Sequence, residues 1–461
     1  MWQRLSDSFA RFGHLRRNAR LYLISNTLQS FTAGTIGVLY TLFLNGLGYG
    51  TTFIGAVVFL GTAGGALGIF PASALIQRLG WRTMLLWSYV IGGVAIFLQL
   101  IAPTPTITLI TTLGVGASVA VILVLNAPFL AAHSEPEERN AIFGLNNALG
   151  FLAGVTGTLI GGLLPLWVMA GFDAHIPWLM ALRPFLLADP QGRVYQVAML
   201  ASGAVAVPSF IPIMLMREGK RDAVNAAMGG AAPEERPALR ERMAAWRRLA
   251  SAVARGAIGK LSFSQALVGF GAGLFFPYLN IYFVTRLGAS TAYYGTLSAT
   301  VTAALALVSL LSAPLADRFG RARVVLVGQA ASLPFLVAMG VGSGLASGLA
   351  VVSVAYVVRS MLMNTGSAPL QALLMDTAPP EHQVLASNTY NVSWQGAWAI
   401  GAGLGGGLIA IGGYGVLFYV AAVFYGLSVV LFGWWFLPRA SANGGAPPIG
   451  ADPARAEGGQ G

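Results

Sequence analysis

"SAPLADRFGRARVV" (residues 312–325) interrupts a long apolar stretch with four charged side chains, Asp317, Arg318, Arg321 and Arg323. A weaker copy, "ASALIQRLGWRTML", occupies residues 72–85. Both contain an Arg-x-Gly core, and Arg78 and Gly80 of the first copy lie 240 residues before Arg318 and Gly320 of the second. Because the same short charged motif occurs twice at such a distance, the sequence predicts two related halves.

The composition places these motifs in a membrane protein. Of the 461 residues, 56% are hydrophobic and only 9% are charged, whereas soluble domains are about one quarter charged. So few charges could not cover a water-exposed surface with polar groups. The chain has no cysteine, which excludes disulfides and thiolate metal sites.

Twelve apolar runs are long enough to cross a bilayer, for which about 20 helical residues suffice. The predicted spans are residues 21–44, 53–76, 84–101, 107–130, 142–166, 194–216, 261–285, 292–316, 324–342, 347–374, 385–411 and 414–437. The predicted fold is therefore an all-α membrane protein with twelve transmembrane helices in two pseudo-symmetric six-helix bundles.

Basic residues mark one side of this topology. With the N-terminus inside and an even number of spans, the cytoplasmic segments hold 23 of the 27 Lys and Arg residues, as the positive-inside rule requires. The sequence thus predicts a multi-pass protein of the cell (plasma or inner) membrane with both termini in the cytoplasm. The net charge of +11 is spread over these loops and gives no reason to expect a nucleic-acid partner.

The charge distribution also suggests domain boundaries. We predict a cytoplasmic segment (1–20), an N-terminal bundle (21–216), a linker (217–256), a C-terminal bundle (257–438) and a disordered tail (439–461). Within the linker, "PALRERMAAWRRLASAVARG" has the spacing of an amphipathic helix on the inner leaflet, although a solvated linker helix remains an alternative. The long external loop 167–193 is predicted to lie at the membrane interface.

The halves also share a glycine pattern. Gly157, Gly161 and Gly162 in the fifth span recur 244 residues later in the eleventh, as Gly401, Gly405 and Gly406. Small residues at this spacing let membrane helices approach closely.

From about residue 15 to 440, the chain resembles the major facilitator superfamily, whose loop signature is Gly-x-Leu-Ala-Asp-Arg-x-Gly-Arg-Arg. Residues 313–322 read "APLADRFGRA" and match six of its fixed positions. The first copy departs further, with Gln77 in place of the Asp and Trp81 in place of an Arg. The resemblance implies that these charged residues form a cytoplasmic latch between the halves in the outward-open state. The alternative is that they only fix the topology.

The fifth span, "GTLIGG" (157–162), is similar to the glycine-rich signature of drug–proton antiporters in that superfamily, with Thr158 where those proteins have Pro. This similarity slightly favours export. The eleventh span repeats the pattern as "GAGLGG", so close helix packing explains it equally well.

One charge lies inside a predicted span. Arg359 is about a dozen residues into the tenth span, near the middle of a hydrocarbon core about 30 Å thick. Such a residue normally faces protein or water, and at 100° per residue it shares a polar face with Tyr356 and Asn364. All 16 Asp and Glu residues and all four His residues fall in loops, tails or at a span end, so the spans lack an embedded carboxylate or His to carry a proton.

We predict that this polar face lines a substrate cavity, together with side chains of other spans that the resemblance implies. The candidate cavity residues are Arg359, Asn364, Tyr356, Gln29, Asn126, Gln265, Asn280, Trp394 and Gln395. In this hypothesis Arg359 offers a fixed positive charge to an anionic or carbonyl-bearing substrate, and aromatic side chains pack on its apolar part. The alternative is a structural arginine that bonds to carbonyls or Asn side chains between helices.

The sequence therefore predicts a secondary transporter for a small organic solute, with export slightly favoured, working as a monomer without metal or cofactor. Uptake is one alternative, and a non-transporting protein of the same fold that senses or binds a ligand is another. No phosphate loop, metal-ligand cluster or Ser/His/Asp set points to an enzyme.

Overall fold

The computed structural model describes residues 16–134, 139–217, 256–342, 344–378 and 383–437. The predicted amphipathic linker helix and the C-terminal tail lie outside these residues. The division of the chain into domains therefore stays a prediction.

The six predicted spans of the first half correspond to helices that run a few residues longer at most ends. They are α1 (Arg17–Gly46), α2 (Thr51–Leu79), α3 (Trp81–Ile101), α4 (Pro105–Ala132), α5 (Arg139–Asp173) and, for the sixth span, α7 (Pro190–Ala206) continued through a 3-10 turn by α8 (Phe210–Met214). A short helix, α6 (Pro177–Leu182), lies between α5 and α7.

The second half begins with α9 (Ala257–Phe275), which continues through a 3-10 turn, α10 (Leu279–Ile281) and a π-helical segment (Tyr282–Arg286). It is followed by α11 (Thr291–Phe319), α12 (Arg321–Gly342), α13 (Gly348–Thr365), α14 (Ser367–Thr377) and α15 (Gln383–Phe436).

Eleven helical segments of the described residues are long and apolar enough to cross a membrane. Helix α15 has 54 residues and would extend about 80 Å if it were straight. Its backbone breaks at Gly413, where φ is +74°. The part before the break packs Gly401 against Phe270 of α9, and the part after it brings Ser428 to Ser264 near the start of α9. The chain therefore reverses at Gly413, and α15 supplies two spans, so that the predicted twelve-helix fold is confirmed.

The two charged motifs form the same turn. Gly80 separates α2 from α3 with φ +89° and ψ 150°, and Gly320 separates α11 from α12 with φ +87° and ψ 140°. A positive φ of this size is accessible to glycine and costly for other residues. We call the end of the molecule that carries these turns the charged end and the opposite end the far end.

At the far end, several helices begin at side chains that cap them. The Ser290 hydroxyl accepts a hydrogen bond from the backbone N–H of Tyr293, and Asp189 accepts one from Gly192. Such caps satisfy N–H groups that have no partner within the helix. They fix where α11 and α7 start.

The apolar core shows how the halves meet. One cluster of buried side chains at the far end combines both halves, with Leu39 and Phe43 of α1 beside Tyr278 and Phe283 of the second half. At the charged end the described buried clusters are separate: one belongs to the first half, around Trp81, and another to the second half. The halves are thus packed together at the far end and apart at the charged end.

Candidate binding cavity between the halves

A cavity of about 680 Å³ lies between the halves. The first half contributes few residues to its wall, all uncharged, among them Gly34 and Gly37 of α1 and Thr158 of α5. The second half supplies the rest, from α9, α11, α12, α13, α14 and α15. The polar and charged groups of the cavity therefore belong almost entirely to one half.

Arg359 of α13 is part of the wall and only 2% exposed. One guanidinium N–H donates to the hydroxyl of Tyr425. The guanidinium carbon lies 4.9, 5.3 and 5.2 Å from the ring centroids of Phe275, Phe276 and Tyr425. Rings at these distances attract a cation through their negative faces. The charge is therefore held by aromatic rings and one phenol, in contrast to the carbonyl or Asn partners of the structural alternative.

The negative charge that usually accompanies a buried arginine is missing here. Among the described residues that line the cavity, none is Asp, Glu or His. The Nε of Arg359 is buried and has no hydrogen-bond partner within the described part of the chain. A buried charge without a counter-ion is costly, so the site is electrostatically incomplete.

A second polar group lies toward the charged end, where the side-chain amide of Gln329 donates to Gln265, 3.3 Å away. The other amide atoms of this pair, Nε2 of Gln265 and Oε1 of Gln329, are buried without partners in the described residues, as is the Ser360 hydroxyl. Buried polar atoms are rarely left unbonded, so these groups lack partners that such atoms normally have.

Aromatic side chains form much of the remaining wall, namely Tyr294, Tyr356, Trp394 and Trp398. Asn364 also lines it and is anchored to α11, where its amide donates to the Leu305 carbonyl (3.1 Å) and the Ser309 hydroxyl (2.9 Å). The cavity thus offers an apolar body with polar groups at defined points.

Five of the predicted cavity residues line this space: Arg359, Asn364, Tyr356, Gln265 and Trp394. Three further polar residues of the tenth span, Ser360, Ser367 and Gln371, line it too.

The structure does not bring four predicted residues to the cavity. Gln29 donates to the Ser209 hydroxyl within the first half. Asn126 is half-buried on α4, which contributes no residue to the wall. Asn280 of α10 is buried against α1 at the far end. Gln395 is exposed, since it lies 100° around the helix from Trp394.

Sequence reasoning missed Tyr425, Phe275 and Phe276, which enclose the guanidinium, and Gln329. For Gln329 a signal existed, because it is the one amide within the apolar run "VVLVGQAASLPFLV" (324–337). Aromatic residues in an apolar span carry no comparable signal.

The far end of the cavity is closed by what we call the far-end seal, two related contacts between the halves. In one, Gly406 of α15 lies against Thr51 of α2, whose hydroxyl donates to the Gly406 carbonyl at 2.9 Å. In the other, Gly162 of α5 lies against Thr291 and Gly295 of α11. Thr51 and Thr291 are equivalent positions of the repeat, and so are Gly406 and Gly162.

Asn280 adds a polar contact to the closed end. Its amide donates to the Val38 carbonyl (2.9 Å) and its carbonyl oxygen accepts from the Thr41 hydroxyl (2.7 Å). All three residues are buried. The bonds join α1 to the second half, so Asn280 acts in closing the far end.

At the charged end the motif residues are exposed. Asp317, Arg318, Arg321 and Arg323 face solvent or lipid, as does Arg78, while Gly80 is buried in its turn. Arg321 forms an ion pair with Asp376 of α14, within the second half. The predicted latch between the halves stays a prediction.

Comparisons with known proteins agree with this architecture. The sequence model of the Major Facilitator Superfamily matches residues 22–257 and 261–458. No curated protein matches the chain.

Among solved structures, the nucleoside transporter NupG superposes with a TM-score of 0.68 at 13% identity, over 92% of this chain and 100% of that one. A bacterial homologue of the human lysosomal transporter Spinster, inward-facing and occupied, gives 0.64 at 15% identity, over 90% and 96%. A D-xylose–proton symporter gives 0.63 at 17% identity, over 92% and 97%. At such identities the likeness shows the fold, and together with the family match it leads to one conclusion: the chain belongs to the Major Facilitator Superfamily and is a multi-pass membrane transporter, not an enzyme.

Proposed function

We propose that this transporter moves a small organic solute across the cell (plasma or inner) membrane by alternating access, and that the solute binds beside Arg359. The observation that carries the proposal is a buried guanidinium in the wall of a 680 Å³ cavity between the halves, with no Asp or Glu among the described residues of that wall. Transporters of this type place their sites near the bilayer midplane, at the interface of the repeats.

The conformation of the molecule, packed together at the far end and apart at the charged end, supports alternating access. Its far-end seal consists of backbone contacts at glycines, whereas the buried clusters of the charged end belong to separate halves. If the charged end is cytoplasmic, as the basic loops predict, the cavity opens inward. Rocking the halves would break the seal and bring the motif residues Asp317, Arg318, Arg321, Arg323 and Arg78, with the turns at Gly80 and Gly320, toward the opposite half as a latch.

The solute that fits this site is anionic or amphipathic. Arg359 supplies a positive charge, while Trp394, Trp398 and Phe276 supply apolar surface. Because the cavity is enclosed by one chain, we expect a monomer to be sufficient.

The direction of transport was expected to be export, from the glycine-rich fifth span. In the structure, a Cβ on Gly157 would lie 2.0 Å from the Phe31 carbonyl oxygen, and one on Gly161 2.9 Å from Thr35. Close packing on α1 therefore accounts for these glycines. Export and uptake are distinguished by flux with the solute placed on either side.

The absence of cysteine from the chain permits a direct test of alternation. Spin labels on Thr52→Cys and Ile411→Cys, both exposed at the far end, span the contact between α2 and α15. Labels on Leu79→Cys and Asn391→Cys span the same helices toward the charged end. In lipid nanodiscs we expect two populations, in which the far-end distance lengthens as the charged-end distance shortens. One fixed distance for each pair under all conditions would instead support the non-transporting alternative.

Arg359 is tested by substitution. Arg359→Gln removes the charge but keeps hydrogen-bonding atoms. Arg286→Gln, the same change at an exposed position that does not line the cavity, is the matched control. We expect Arg359→Gln to lose solute binding or flux while it retains a monodisperse folded state. Unchanged flux in a folded Arg359→Gln variant would assign the arginine a structural role.

A further inference from the structure

We propose that the substrate is an organic monoanion with an apolar body, that it is the counter-ion of Arg359, and that the transporter therefore works as an anion exchanger. This inference rests on the proposed function, because it concerns the same cavity. It adds two properties to that function: the charge of the substrate, and the coupling of one anion's movement to the opposite movement of another.

The first step is the charge of the empty cavity. Arg359 is the one ionised side chain among the described residues that line it. The carboxylate of Asp376, near the last residue of α14 at the charged end, is exposed and paired with Arg321. The empty cavity therefore carries one positive charge, and a single negative charge on the substrate neutralises it.

The second step is the set of unsatisfied polar atoms. Within the part of the chain that the structure describes, the Nε of Arg359 and the hydroxyl of the adjacent Ser360 are buried without a hydrogen-bond partner. A carboxylate accepts hydrogen bonds at both oxygens, and a guanidinium donates them in a planar fork that matches it. Because both atoms are buried in the empty cavity, neighbouring side chains must shift for a carboxylate to bond to them. A carboxylate bound there would give both groups a partner and would supply the missing charge.

The third step is the shape of the rest of the ligand. The Gln265–Gln329 pair lies ten residues before Phe275 along α9, about 15 Å toward the charged end. Val268, Trp394 and Trp398 contribute to the wall as well. An apolar or aromatic body of the substrate would extend from Arg359 into this region.

The net charge of the cavity affects how readily the transporter changes between its two states. Closing the charged end excludes bulk water from the cavity, and a charge is strongly disfavoured inside the membrane unless it is paired. The loaded cavity is neutral, whereas the empty cavity retains the bare guanidinium. The loaded transporter should therefore change state faster than the empty one, which makes exchange of one anion for another faster than net flow. Without an Asp, Glu or His in the described wall, the cavity offers no proton carrier that could replace the anion.

Binding tests the charge requirement. The probes are 4-phenylbutyrate and 1-naphthoate, with the uncharged amide of each acid as its partner. We expect the acids to raise the melting temperature of the purified full-length protein and the amides to have little effect. Arg359→Gln should abolish the difference between acid and amide. Equal stabilisation by acids and amides, stabilisation by neither, or an acid effect that persists in Arg359→Gln would overturn the inference.

Flux tests exchange. Proteoliposomes take up labelled 4-phenylbutyrate either with unlabelled 4-phenylbutyrate inside or with buffer alone, and the rate in protein-free vesicles is subtracted. We expect the initial rate to be roughly tenfold or more higher in preloaded vesicles, a difference of about 1.4 kcal/mol between the two reorientation barriers. Equal rates with and without internal anion would refute exchange.

The two levels of the proposal fail differently. If the spin-label distances interchange and the amide is transported as well as the acid, alternation stands and the anion requirement is wrong. If the distances never change and neither probe crosses, the transport function itself is wrong.

Discussion

The far-end seal leads to the sharpest prediction, because two adjacent glycines of α15 differ completely in their surroundings. A Cβ on Gly406 would lie 2.0 Å from the carbonyl oxygen of Thr51 and 2.9 Å from the Tyr278 hydroxyl. A Cβ on Gly407 would meet nothing within 4 Å. Gly406→Ala should therefore push α15 and α2 apart, and Gly407→Ala should not.

The size of the effect follows from this geometry. Ordinary contact begins at 3.4 Å, so the halves must separate locally by about 1.4 Å, the difference between 3.4 and 2.0 Å, to admit the methyl group. Overpacking of this kind costs typically about 1–3 kcal/mol. Since Thr51 belongs to the other half, the clash with its carbonyl oxygen applies only while the far end is closed. The ratio of far-end-open to far-end-closed molecules should rise by roughly 5–150-fold.

The assay is the distance between spin labels at Thr52→Cys and Ile411→Cys, compared in the parent, Gly406→Ala and Gly407→Ala backgrounds. We expect Gly406→Ala to populate the longer distance and Gly407→Ala to reproduce the parent. Gly157→Ala is a second control, because its Cβ would meet Phe31 within the first half and should lower stability without shifting the populations. If Gly406→Ala leaves the distance distribution unchanged although the protein folds, the assignment of Gly406 to a seal that opens is refuted.

Three other predictions concern the seal, the turn and the ion pair. Asn280→Ala removes both bonds from Asn280 to α1 and leaves the buried Val38 carbonyl without that donor. The substitution should destabilise the far-end-closed state by about 1–3 kcal/mol. An unchanged distance between the far-end spin labels would contradict this prediction. Gly320→Ala forces alanine into a backbone with φ +87°, where its Cβ has free space around it. The loss of stability is therefore conformational, about 1–3 kcal/mol. A melting temperature equal to that of the parent would disprove this prediction. Asp376→Asn breaks an exposed pair with Arg321, 59% and 44% exposed, and should change the unfolding free energy by less than about 1 kcal/mol; a larger loss that persists in high salt would show that the pair is a structural anchor.

The helices were predictable because the bilayer leaves few choices. A backbone in lipid must satisfy its own hydrogen bonds, so each apolar run of sufficient length becomes a helix. The predicted turn at residues 411–414 appears at Gly413, although the hydropathy there hardly falls. What the sequence could not specify is how far each helix extends past the membrane: α5, for example, continues to Asp173, beyond the predicted limit of residue 166.

The candidate site was only partly predictable, for a geometric reason. Helical periodicity identifies which residues share a face, and the polar face of the tenth span, with Arg359 and Asn364, lies on the cavity. Periodicity does not identify which neighbouring helix that face meets. Tyr425 and Phe275 look like ordinary apolar positions until the fold brings α9 and α15 around the guanidinium. Asn280 shows the converse. It is a polar residue predicted to line the cavity, but the fold places its partners, Val38 and Thr41, at the closed far end.

The repeated glycines show how one pattern serves two purposes. The first two glycines of each set, Gly157 and Gly161 or Gly401 and Gly405, pack within their own half, against α1 or α9. The third, Gly162 or Gly406, contacts the opposite half. At these two contacts the glycines meet backbone atoms of the other half, so the contacts themselves can separate without interlocked side chains having to disengage.

The two halves contribute equally to the far-end seal but unequally to the binding cavity. Both halves contribute equivalent glycines and threonines to closure, but the cation and its aromatic partners belong to the second half, while the first half presents Gly34, Gly37 and Thr158. A solute held by Arg359 would therefore stay with the second half as the first half rocks across it. The uncharged wall of the first half can then move past the solute without breaking an ionic bond, so the same binding contacts persist in both states.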